Sequence, residues 1–151
     1  VSHLEGTLNF IPYGCLVDHF QQVVYEHPEM TPQERNEAWL KLEKRYRPYL
    51  DLEGIPFYER GAGWQRQNHI YASPFYYIDY CLAQTVALQF WLEIEKDWDQ
   101  AWVKYKEFVK RGGTDTFLGL VKGAGLTSPM EDGCLRSIAE YSGKWLEKHK
   151  I

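Results

Sequence analysis

Between Phe75 and Leu92 the only formal charge is Asp79. A helix that is apolar nearly all round has to be covered on most of its sides. A chain of 151 residues can supply that cover by wrapping several helices around the segment, or a further half of the protein supplies it. A membrane span is the competing explanation. The apolar run from Tyr80 to Trp91 carries two glutamines, is flanked by Asp79 and Glu93, and is too short for a bilayer crossing. A buried helix at the centre of an all-α, multi-helix bundle is therefore expected, formed as one α-helical domain over residues 1–151.

The remaining periodicity agrees. Leu4, Leu8, Ile11, Cys15, Leu16, Phe20, Val23 and Val24 predict a helix from about Ser2 to His27, kinked at Pro12, loosened at Gly14 and stopped by Pro28. Thr31, Pro32 and Glu34 spell an N-cap, a first-turn proline and a capping box for a helix running to near Arg47. Residues 48–63 read as a loop, in which Gly61-Ala62-Gly63 is either a plain turn or a hinge. Ser73-Pro74 is expected to open the central helix as N-cap and first-turn proline. Asp97 caps a helix from Trp98 to Arg111, and Thr114 caps a short one through Val121. Ser128-Pro129 leads into a last helix from about Cys134 to His149.

Composition narrows the function. The net charge is −4, with Lys and Arg dispersed among acids, so the basic face of a nucleic-acid binder is missing. Cys15, Cys81 and Cys134 are far apart in apolar surroundings and read as reduced, buried thiols of a cytoplasmic protein. No two of the five histidines stand four residues apart, so there is no H-E-x-x-H, and no cysteine cluster replaces it. The chain alone is expected to bind no metal. G-x-S-x-G and phosphate-loop patterns are also absent.

The aromatic content is high, at 16%. It peaks in the block from His69 to Tyr80, which holds Tyr71, Tyr76, Tyr77 and Tyr80. On a helix Tyr77 and Tyr80, three apart, share a face, and so do Tyr76 and Tyr80, four apart. Imidazole and phenol groups gathered in this way can aim N–H and O–H donors at a developing oxyanion. The plainer reading is that tyrosines at a helix start belong to the core or an interface, and that a single histidine is non-catalytic. Arg66 and Gln67 can contact a peptide backbone or carboxylate, or simply be solvated. Asp79 is expected in a buried hydrogen-bonded pair, and Trp39, Trp91, Trp98 and Trp145 in packing.

Several blocks together resemble the C-terminal part of oligoendopeptidase F, in the thimet-oligopeptidase family of zinc peptidases. They are Phe10-Ile-Pro-Tyr-Gly14, Tyr25-Glu-His-Pro28 with Met30-Thr-Pro32, Trp64-Gln-Arg-Gln67, and His69 through Tyr80. The resemblance is nearly continuous from residue 4 to about residue 95 and looser afterwards. It implies a helical, two-lobed peptidase with a deep channel, in which an H-E-x-x-H helix and a downstream glutamate hold one zinc. Both are missing from this sequence and would lie upstream of Val1, so a C-terminal fragment is expected, inactive by itself. Its partners would be the upstream part of the same polypeptide and short peptide substrates.

The resemblance also implies roles. His69 matches a histidine that contacts bound peptide near the scissile bond. Tyr77 and Tyr80 match the tyrosines that donate to the tetrahedral oxyanion, with Tyr76 a register-shifted rival. Tyr76 and Arg66 join His69 as expected substrate contacts. A non-catalytic helical domain that binds a peptide or acts as a scaffold is the alternative.

Overall fold

The computed structural model describes residues 1–149, and its architecture is all-α, with no strand among the described residues. The helices are α1 (Ser2–Glu26), α2 (Pro32–Tyr46), α3 (Asn68–Ala72), α4 (Ile78–Lys96), α5 (Trp98–Lys110), α6 (Phe117–Gly123) and α7 (Cys134–Lys148). A 3₁₀ turn at Ala62–Arg66 precedes α3. Two compact units form: residues 5–81, and residues 82 onward with Val1–Leu4.

The unit of residues 5–81 is built on an aromatic core. Leu16, Val17 and Phe20 of α1, Trp39 and Leu42 of α2, Trp64 and Tyr77 pack together and are nearly inaccessible. Each such side chain contributes about 1.5–3 kcal/mol by leaving water. Phe20 meets Trp39 edge-on at 5.1 Å and lies 5.5 Å from Trp64. α2 begins as expected: the Thr31 hydroxyl accepts from Glu34 N–H at 3.3 Å, and Glu34 Oε2 accepts from Thr31 N–H at 2.7 Å.

Two glycine positions mark close approaches. Gly61 to Gly63 are buried, and a Cβ on Gly61 would come within 2.1 Å of the Asn36 carbonyl oxygen. The segment is a close-packed turn against α2, not a hinge. Gly14 likewise marks an approach rather than freedom, because a Cβ there would lie 2.1 Å from Cys81 Sγ. α1 itself continues through Pro12.

In the second unit, Val86, Phe90, Val121 and Ala124 form the core, with Phe108 and Leu126 packed around them. The Gln89 carboxamide holds Thr127 from both sides, donating to its carbonyl at 2.9 Å and accepting from its N–H at 2.8 Å. Asp97 caps α5 through Gln100 N–H at 3.1 Å. The cap of α6 is Thr116, not Thr114. Thr116 Oγ1 accepts from Gly119 N–H at 3.1 Å, whereas Thr114 Oγ1 donates to the Arg111 carbonyl at 2.7 Å and so closes the preceding helix. Trp39 is buried and Trp91 packs on Tyr141 and Trp145. Trp98 does not pack inside: it is 60% exposed, in a stack with Trp102. No helix among the described residues is long and apolar enough to cross a membrane.

Candidate active site

α3 ends at Ser73, whose N–H donates to the His69 carbonyl at 3.0 Å. Ser73 is thus the C-cap of α3, and it lies too far before the first residue of α4 to serve as the N-cap of the central helix. Phe75 then turns the chain with φ of 60°, a left-handed conformation unusual for a bulky residue and incompatible with continuing a helix. Its ring packs on Tyr25 at 4.9 Å. α4 begins only at Ile78, four residues later than Ser73-Pro74 suggests. The carbonyls of Tyr76 and Tyr77 accept its first N–H groups, from Asp79 at 3.1 Å and Tyr80 at 3.3 Å.

This reversal folds α3 back onto the start of α4 and places one imidazole among three phenols. The His69 ring centroid lies 5.0 Å from Tyr77, 5.7 Å from Tyr80 and 6.4 Å from Tyr76. Tyr80 is edge-on to both Tyr76, at 5.3 Å, and Tyr77, at 5.5 Å. Both spacings weighed from the sequence therefore bring the rings together, although Tyr76 and Tyr77 precede the helix. Access separates them: Tyr76 and Tyr80 are 48% and 40% exposed, and Tyr77 is 8% exposed, its ring packed against Phe10 and Tyr13.

Burial, aided by the neighbouring Cys81 and Tyr80, pushes the Tyr77 hydroxyl above the ordinary tyrosine range. Tyr80 is pushed up as well, by the cover of the surrounding rings first, then by Tyr76 and Asp79. Both stay protonated, and therefore able to donate, at neutral pH. Asp79 is exposed rather than buried in a pair.

Behind His69 runs a hydrogen-bonded chain that local sequence patterns do not reveal. Tyr13 O–H donates to Gln67 Oε1 at 2.8 Å. Gln67 Nε2 lies 2.8 Å from His69 Nδ1, and His69 Nε2 lies 3.5 Å from the Tyr80 hydroxyl. Burial, with the Tyr77 phenol adding, pushes the Tyr13 hydroxyl up to about 12, and the Arg47 guanidinium sits 4.8 Å above its ring. Gln67 thus faces His69 rather than solvent. Tyr13 is 54 residues away in sequence, and only its place in the Phe10–Gly14 block hinted at a role. Arg66 is exposed and lies 5.6 Å over the Tyr58 ring. It shares a cleft of about 210 Å³ with Tyr13, Glu43, Arg47, Tyr58 and Gln67, on the Tyr13 side of Gln67.

Among the described residues no group of three or more His, Cys, Asp or Glu side chains is placed to hold a metal ion. What the cluster offers is a set of phenol and imidazole groups able to donate hydrogen bonds.

Comparison with known proteins identifies the scaffold. Residues 3–140 match peptidase family M3. Among solved structures, a chain assigned as an oligoendopeptidase F superposes with a TM-score of 0.90 at 47% identity. PZ peptidase A with an inhibitor gives 0.90 at 46%, and an oligoendopeptidase F assignment from Bacillus anthracis str. Ames gives 0.77 at 41%. Each alignment covers 97% of this chain but only 26%, 26% and 23% of the respective structure, so the chain spans about a quarter of their length. No curated protein matches significantly. With that match across most of its residues, the chain belongs to peptidase family M3.

Proposed function

We propose that this chain is the C-terminal, substrate-binding and oxyanion-stabilising part of a zinc-dependent oligoendopeptidase that hydrolyses peptide bonds in short peptides. The observation that carries this reading is the enclosure of His69 by Tyr76, Tyr77 and Tyr80, with two of the phenols open to a ligand. The resemblance points to zinc as the metal. The described residues offer it no ligand set, so its ligands are assigned to the remainder of the polypeptide, and no step is derived through it.

What this chain's own side chains do follows from their chemistry. A peptide lying across the cluster brings a carbonyl oxygen to the Tyr80 hydroxyl. As the carbonyl carbon becomes tetrahedral, negative charge gathers on that oxygen, and a neutral phenol already in place stabilises it without reorganisation. The hydrogen bond strengthens on the way to the transition state, so it acts on kcat more than on KM. His69 holds the peptide alongside. Tyr77 and Tyr76 are the neighbouring phenols, and their exposures favour Tyr76 as the more accessible contact. Arg66 is proposed to reach a peptide backbone or carboxylate from the other side of Gln67. The three free thiols fit a reducing compartment, and we place the protein in the cytoplasm.

The full-length polypeptide is assayed on a quenched fluorescent peptide with and without a chelator. Chelator-sensitive cleavage, restored by zinc, is the expected result. Saturable peptide binding with no cleavage at any zinc concentration would contradict it and leave a non-catalytic binding domain.

A further inference from the structure

A histidine can act as a hydrogen-bond donor through Nδ1 or through Nε2, and the partner of one nitrogen decides which. At His69 that partner is the side-chain nitrogen of Gln67, 2.8 Å from Nδ1. A carboxamide NH₂ can only donate, so Nδ1 must offer its lone pair, and the ring proton of neutral His69 sits on Nε2. The structure places the amide with its oxygen accepting from the Tyr13 hydroxyl at 2.8 Å, the orientation that gives that hydroxyl proton an acceptor. That hydroxyl is firmly protonated, its pKa being pushed to about 12 by burial and the nearby Tyr77 phenol.

The direction of every proton follows. Tyr13 donates to Gln67, Gln67 donates to His69, and His69 Nε2–H points at the Tyr80 oxygen, 3.5 Å away. This last contact is long, as catalytic hydrogen bonds often are before substrate arrives. Because the Tyr80 oxygen faces a donor, its own proton is directed away from His69, towards Tyr76 or an incoming oxygen. With the opposite tautomer, the Nε2 lone pair would accept the Tyr80 proton and withdraw it from the substrate side.

We infer that Gln67, oriented by Tyr13, is a positioning residue that locks His69 in the Nε2–H form and thereby keeps the Tyr80 hydroxyl proton facing the ligand. The tautomer lock stands on the geometry alone; its catalytic consequence rests on the function proposed above.

Two readouts on the full-length polypeptide separate these parts. The first is ¹⁵N NMR of histidine-labelled protein, with the His69 signals assigned by their loss in His69→Gln. The wild type is expected to show the neutral Nε2–H pattern. Gln67→Glu, of the same size, replaces the donor by an acceptor and is expected to move the proton onto Nδ1. Tyr13→Phe frees the amide to rotate and is expected to mix the two forms. An Nδ1–H wild type, or an Nε2–H pattern indifferent to Gln67→Glu, would overturn the lock.

The second readout is a double-mutant cycle in kcat. Gln67→Glu is expected to lower kcat on the order of 10- to 100-fold, by analogy with the loss when the orienting partner of a metal-bound histidine is removed. In a Tyr80→Phe background the same change is expected to have little further effect, because it acts through Tyr80. Equal losses in both backgrounds would refute action through Tyr80. If the tautomer shifts as expected but no variant affects peptide cleavage, the oxyanion-stabilising role proposed for Tyr80 fails and the lock survives.

Discussion

Arg47 serves two neighbours at once. It donates from Nε to Glu43 Oε2 at 3.0 Å and lies over the Tyr13 ring, while Glu43 also accepts from the Trp39 indole at 3.1 Å. The Glu43 side chain is 6% exposed and that of Arg47 is 20% exposed, so the carboxylate has been taken out of water on the strength of these donors. Arg47→Ala leaves it buried with the indole as its remaining side-chain donor and should cost about 3–5 kcal/mol. Arg47→Met combined with Glu43→Gln should recover a large part of the loss, which urea denaturation of both variants would show. At this scale the sequence was informative about chemistry and silent about partners. His69 and Tyr80 stand out by residue type and short separation. Tyr13 and Gln67 look unremarkable in the sequence, and their pairing depends on α1 lying beside the turn before α3.

Helix ends were legible wherever a single side chain decides them. Thr31 with Glu34, and Asp97 with Gln100 N–H, cap their helices as the sequence suggests. Thr31→Ala should therefore destabilise the chain by about 1 kcal/mol, read as a lower midpoint with an unchanged denaturant slope. Ser73-Pro74 misled because the left-handed turn at Phe75 separates it from α4, and α3, only five residues long, leaves no periodicity to reveal itself. Thr114 misled because Thr116 is an equally good cap two residues on.

Glu93 gives an element-scale test by pH. Its hydrogen bonds to Lys104 at 2.7 Å and Lys96 at 3.1 Å hold the carboxylate below its ordinary range, Lys104 being the larger influence. A depressed folded-state value means that the contribution is present above the ordinary carboxylate range and is lost as pH falls through the folded value. Wild type should be more stable than Glu93→Gln at pH 7, and the two should converge in acid. A difference independent of pH would contradict this assignment.

For the molecule as a whole, the all-α architecture follows from the uncharged stretch of α4, while its division into two compact units has no signature in composition. α5 shows the limit: Trp98 is 60% exposed, although the sequence assigns it to packing. The donor cluster at the α3–α4 reversal is the part of the fold on which the functional account depends. The most direct test is the kinetics of Tyr80→Phe in the full-length polypeptide. Tyr80 is 40% exposed, so losing one hydroxyl should leave the melting temperature almost unchanged. The account predicts a fall in kcat of about 10²–10³-fold with little change in KM, the mark of a donor used in the transition state. An unchanged kcat, or a loss confined to KM, would contradict it.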